Sequence, residues 1–256
     1  VIPRPDSPRV ARLHASPNIE PRSGGRRPDL LLLHYTGMTC AEKAIDWLSR
    51  PESKVSCHYV IDEEGRITQM VREEMRAWHA GQSFWAGETD INSLSIGVEI
   101  HNPGHGQGYP EFPEAQMRAV EALSSDIAKR HRIRPERVLA HSDVAPRRKA
   151  DPGEKFDWAR LARAGAGLWI PPAPLDPFDP GLGPCEEGDV VGRAQRLLAD
   201  YGYGLDLTGV LDEQTAFVLM AFQRHFRPSR VDGRLDASTL ATLESLIAAR
   251  PAPLAP

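Results

Sequence analysis

The sequence has little cysteine and no long apolar run. Three cysteines in 256 residues, Cys40, Cys57 and Cys185, form an odd count without a CxxC pair, so neither a disulfide framework nor a thiolate zinc site is suggested. No apolar stretch approaches the roughly 20 residues that a membrane-spanning helix needs. The opening VIPRPDSPRV lacks a hydrophobic export segment, but the chain begins on Val1 and not on methionine, so removal of a leader stays open. An excess of positive charge is also missing. With 31 Lys and Arg against 35 Asp and Glu the net charge is -4, which gives no electrostatic reason to expect nucleic acid or an anionic membrane as partner.

What is present is an ordinary globular composition, 41% hydrophobic and 26% charged, which argues against disorder. The length allows one large domain or two unequal ones. Proline and glycine crowd into WIPPAPLDPFDPGLGP, 169–184, a stretch with neither helical nor strand period, which reads as a linker. The expected organisation is a catalytic domain over 1–170, a linker over 171–187 and a helical domain over 188–250. Ahead of the linker, apolar runs at 29–34, 93–100 and 137–141 alternate with helical patterns at 40–50 and 113–131. The fold class expected is α/β, a mixed central sheet flanked by helices, followed by a small three-helix C-terminal domain.

In that last domain Val191, Ala194, Leu198 and Tyr201 recur at helical spacing, as do Leu219, Phe222 and Phe226, then Leu240, Leu243 and Ile247. TGVLDEQT (208–215) and DGRLDAST (232–239) repeat one unit, a glycine turn followed by an aspartate N-cap at Asp212 or Asp236.

Chemistry concentrates at the ends of the apolar runs. His34 closes LLLLH and His141 closes VLAH, so two imidazoles project where loops build sites. The stretch AHSDVAPRRKADPG, 140–153, could return Asp151 toward His141, giving two nitrogen donors and one oxygen donor with a fourth position for water. In SIGVEI, Leu94, Ile96, Val98 and Ile100 face one way and Ser95, Gly97 and Glu99 the other. A carboxylate there could move a proton, and Lys149 could meet a developing oxyanion. Each residue also has a plain reading as a turn, surface or strand-edge group. His58, His79 and His101 leave other ligand sets open.

LLLHYT, WHAG, SIGVEI and AHSDVAPRRKADPG, in this order over roughly the first 165 residues, resemble the signatures of the zinc-dependent N-acetylmuramoyl-L-alanine amidases, the bacterial family related to phage T7 lysozyme and the peptidoglycan recognition proteins. The resemblance implies one zinc ion per chain held by His34, His141 and Asp151, with Glu99 as catalytic glutamate and Lys149 near the oxyanion. His79 falls at a position near the cleft that is not a ligand and is assigned to substrate contact, together with Asn92. The implied reaction is hydrolysis of the amide between N-acetylmuramic acid and L-alanine, releasing the stem peptide from peptidoglycan or muropeptides. Residues 188–249 are similar to small peptidoglycan-binding domains. That module is expected to hold the enzyme on the wall through the proline-rich tether without sharing in bond cleavage. A monomer in the periplasm or cell envelope is expected, with a cytoplasmic place left open by the absent leader. The alternative function is a non-catalytic peptidoglycan-recognition protein on the same fold.

Overall fold

A computed structural model describes residues 4–251; residues 1–3, the start of the first expected domain, lie outside it. The chain runs β1 (Arg12–Leu13), β2 (Ile19–Pro21), β3 (Leu30–Tyr35), α1 (Ala41–Leu48), β4 (Tyr59–Ile61), β5 (Ile67–Gln69), β6 (Met75–Ala77) and the single turn α2 (Ile91–Leu94). It continues through β7 (Ser95–Ile100), α3 (Glu114–His131), β8 (Val138–Ala140), the single turn α4 (His141–Val144) and α5 (Trp158–Arg163). The C-terminal unit is α6 (Asp189–Tyr201), α7 (Glu213–Phe226) and α8 (Ala237–Ala249).

Six strands form one mixed sheet in the order β1-β5-β4-β7-β3-β8, antiparallel only between β4 and β5, while β2 and β6 pair apart. Both sides of β3 are flanked by parallel neighbours. Leu30, Leu31, Leu32 and Leu33 are wholly buried, which is why a continuous leucine run, and not an alternating pattern, encodes this strand. Parallel register sets Leu30, Leu32 and His34 beside Ser95, Gly97 and Glu99 on one face. Leu31 and Leu33 share the opposite face with Ile96, Val98 and Ile100, packed against Met117, Val120, Leu123 and Ile127 of α3. Each such buried side chain stabilises by roughly 1.5–3 kcal/mol.

Two expected strands are shorter than their apolar runs. Residues 93–94 belong to α2, because the Asp90 carboxylate accepts from the Ser93 N–H and starts a helical turn. His141 likewise opens α4 instead of ending β8. The Asp143 carboxylate folds back onto the Ala140 N–H at 2.8 Å and forces the chain out of the strand.

The three C-terminal helices fall where the period placed them. Asp212 and Asp236 cap α7 and α8, accepting from the N–H groups of Thr215 and Thr239. The proline-rich stretch expected as a linker makes contacts of its own. Ala173 exchanges hydrogen bonds with the hydroxyls of Thr242 and Ser238, and Leu182 pairs with Leu235 through both backbone groups at 2.9 Å. The stretch has no regular secondary structure, yet it is laid along α8. The two units also share one apolar cluster. It runs from Leu30, Leu32 and Leu139 through Trp85, Ile91 and Val144 into Leu198, Phe222 and Leu243. Trp85 lies edge-on to Tyr201 and Tyr203, and a Cβ at Gly202 would sit 2.6 Å from its ring.

Candidate metal centre and cleft

His34 Nδ1, His141 Nδ1 and Asp151 Oδ2 meet in a triangle with sides of 2.9, 3.0 and 3.3 Å. All three residues are buried. β3 presents His34 and α4 presents His141. The loop after α4 brings Asp151 back, its carbonyl accepting from the Ser142 N–H at 3.0 Å. The proline-bearing loop therefore aims its carboxylate at His141 as its composition implied.

The hydrogen bonds around the triangle decide where the protons are. Ser95 donates its hydroxyl to the Ile91 carbonyl at 2.6 Å, so its oxygen accepts from His79 Nε2–H. Burial first, then the neighbouring His34, keeps His79 neutral at ordinary pH, which leaves its Nδ1 bare to accept from His34 Nε2–H at 3.0 Å. Burial, reinforced by His141, lowers His34 to about 4, so its Nδ1 is bare too. His141 spends Nε2–H on the Ala80 carbonyl at 3.1 Å, turning Nδ1 inward. For Asp151 burial pushes the carboxyl up, but His141 and His34 outweigh it and hold it below the usual carboxylate range. Two imidazole nitrogens and a carboxylate oxygen thus converge in a buried site, a donor set that a cation suits. Donors bound tetrahedrally at zinc distances of 2.0–2.2 Å lie about 3.3–3.6 Å apart, so the triangle reaches that spacing by widening a few tenths of an ångström. The residues fit a metal ion.

The triangle opens into a cleft of about 300 Å³ lined by Trp47, Trp78, His79, Glu99, His141, Lys149 and Asp151. Glu99 is the register partner of His34, so both side chains leave the same face of adjacent strands. Its Oε2 is buried without a hydrogen-bond partner. Burial, then the negative charge of Asp151, pushes the Glu99 carboxyl well above the usual range, with Lys149 acting against this. A carboxyl so placed can hold or accept a proton near neutral pH.

The structure brings together His34, Glu99, His141, Lys149 and Asp151, with His79 beside them, and places His58 and His101 elsewhere. His58 accepts from the Gly97 N–H and meets the Met75 carbonyl and Arg22, and His101 meets Thr36 and Glu63. His79, expected to contact substrate, lines the cleft, and Asn92 lies behind it. Both ring nitrogens of His79 are taken by His34 and Ser95, and a Cβ at Gly97 would lie 2.5 Å from its ring, so glycine is required there. Asn92 is buried and its Oδ1 accepts from the N–H groups of His79 and Ala80, bracing the loop behind the site. Sequence reasoning missed Ser95, Trp47, Trp78 and Asp143. Asp143 carried a visible signal, a carboxylate two residues beyond a strand-end histidine.

Residues 24–154 match the family model described as N-acetylmuramoyl-L-alanine amidase, and residues 187–243 match that of a peptidoglycan binding domain. The N-acetylmuramoyl-L-alanine amidase AmiD of Escherichia coli is 37% identical over 233 residues, 86% of this chain and 83% of the relative. The 1,6-anhydro-N-acetylmuramyl-L-alanine amidase AmpD of Haemophilus influenzae is 39% identical over 110 residues, 43% of this chain and 58% of the relative. Among solved structures, AmiD of E. coli in complex with the substrate anhydro-N-acetylmuramic acid-L-Ala-D-gamma-Glu-L-Lys superposes with a TM-score of 0.74 at 35% identity, covering 90% of this chain and 92% of that one. AmpDh3 of Pseudomonas aeruginosa gives 0.75 at 31% identity, covering 91% and 96%. Fold and sequence agree, and the chain belongs to the N-acetylmuramoyl-L-alanine amidase family.

Proposed function

We propose that this chain is a zinc amidase that cleaves the amide between N-acetylmuramic acid and L-alanine, with His34, His141 and Asp151 holding the metal. The observation that carries the reading is the convergence of His34 Nδ1, His141 Nδ1 and Asp151 Oδ2 beside Glu99 and Lys149 in one cleft. Bound there, zinc supplies a Lewis acid and an acidified water. Glu99 takes the proton released on attack and returns it to the departing amine of L-alanine. Lys149 places an ammonium against the oxyanion that develops on the lactyl carbonyl. Trp47 and Trp78 line the cleft and offer it apolar surface suited to a sugar face.

The non-catalytic alternative needs a damaged metal site, whereas all three donors and Glu99 are in place. The match over 187–243 supports contact with intact wall and hence a place in the cell envelope. No helix among the described residues is long and apolar enough to cross a membrane.

The test is mass spectrometry of products from an anhydro-muropeptide and from purified sacculi, with zinc measured by elemental analysis. Free stem peptide, loss of turnover on chelation and its return with zinc are expected. Intact muropeptide after incubation with the zinc-loaded chain would overturn the reading, as would stoichiometric zinc retained by His141→Ala.

A further inference from the structure

Asp143 is the most deeply buried carboxylate beside the metal triangle, and two of its three partners come from the C-terminal unit. Its Oδ1 accepts from the Tyr203 hydroxyl at 2.7 Å, and its Oδ2 from His225 Nδ1 at 2.7 Å and the Ala140 N–H at 2.8 Å. Tyr203 follows α6, and His225 lies in the last turn of α7, stacked on Trp158 with ring centres 3.7 Å apart. His225 and Asp143 are 1% and 0% exposed through their side chains, so solvent offers neither a substitute partner.

Asp143 belongs to the single turn α4 that begins with His141, and the Ser142 N–H of that turn holds the Asp151 carbonyl. One buried carboxylate thus fixes the backbone that sets two donors of the triangle. A second route reaches the same imidazole. Phe84 donates its N–H to the Val144 carbonyl and Ala86 to that of Gly202, while Trp85 is wedged against Tyr201 and Tyr203. This loop begins at Ala80, whose carbonyl sets the ring of His141.

We propose that Tyr203 and His225 are positioning residues of the metal site, acting through Asp143 on the turn that carries His141. The C-terminal unit is on this account a structural half of the amidase centre, whatever it binds outside. The inference rests on the reading of His141 as a ligand. A four-residue turn has too few hydrogen bonds to hold its own geometry, so an outer carboxylate with three fixed donors supplies the rigidity.

The test is a zinc competition titration on the full chain against a chromophoric chelator, with thermal unfolding of the same samples. Tyr203→Phe and His225→Leu are expected to weaken zinc binding about 10-fold or more, the range for outer partners of metal ligands. His225→Asn, whose amide can still donate to Asp143, is expected to restore affinity. Leu246→Ala, in the buried face of α8, is the control: it lowers the melting temperature and leaves zinc affinity unchanged. Unaltered affinity in Tyr203→Phe, which removes a single oxygen and tests the point even if His225→Leu fails to fold, overturns the inference. So does an equal weakening by Leu246→Ala, which would mean general loosening. His141→Ala separates the two readings. If it keeps zinc, the ligand assignment fails and takes the inference with it; if it loses zinc while the brace variants bind normally, only the inference fails.

Discussion

His34 and Glu99 are register partners on adjacent parallel strands, 65 positions apart in sequence, and both project from the face that carries the cleft. The pairing sets the Glu99 carboxylate beside the His34 imidazole through main-chain hydrogen bonds alone. Glu99→Gln keeps this geometry and removes the proposed base. It is expected to retain zinc and the fold and to lose about 10² to 10⁴ in kcat/KM on a soluble anhydro-muropeptide. Near-normal turnover would remove Glu99 from the mechanism.

Lys149 shares the cleft with Glu99, His141 and Asp151. An ammonium that meets charge only as the carbonyl becomes tetrahedral acts in the transition state and not before it. Lys149→Ala should therefore lower kcat and kcat/KM together with little change in KM. A change confined to KM would make Lys149 a substrate-binding base.

The contact between the two units predicts the outcome of truncation. A chain ending at Ile170 removes Tyr201 and Tyr203 from the Trp85 ring and strips two of the three donors from Asp143. An unpaired buried carboxylate is costly. The truncated chain is expected to melt well below the full chain and to lose activity even on the soluble muropeptide. Full activity of that fragment would show that the catalytic unit is self-sufficient.

Glu73 predicts how stability depends on pH. Burial pushes its carboxyl up, but hydrogen bonds from Arg130, His131 and Tyr59 prevail and hold it far below the usual range. Its stabilisation is therefore complete above the unfolded glutamate value of about 4.3 and is lost as pH falls through the lower folded value. Glu73→Gln should melt below the unaltered chain at neutral pH, and the gap should close as the solution is acidified past about pH 4. A gap constant across that range would show that the carboxylate charge is not what stabilises.

The amphipathic periods of α3, α6, α7 and α8 were legible because each helix buries one stripe, and the caps at Asp212 and Asp236 because an N-cap acts within four residues. The leucine run of β3 and the alternation in SIGVEI were legible for the same local reason, and with them the face that holds His34 and Glu99. Short strands such as β1, β4, β5 and β6 had no readable period, since two or three residues cannot show one and their partners lie elsewhere in the chain. Which histidine joins Asp151, and which serves as its support, was also beyond sequence spacing. His34, His58, His79 and His101 are all strand or loop histidines, and only the packing shows that His79 uses both nitrogens on His34 and Ser95. The role of the C-terminal unit was hidden most completely. Its caps and stripes are local and spoke of a separate helical module, whereas the bond between His225 and Asp143 spans 82 positions and exists only once both units have folded against Trp85 and Trp158. Local hydrogen bonding and side-chain period are written in sequence, but the burial of a carboxylate between two units is a property of their contact.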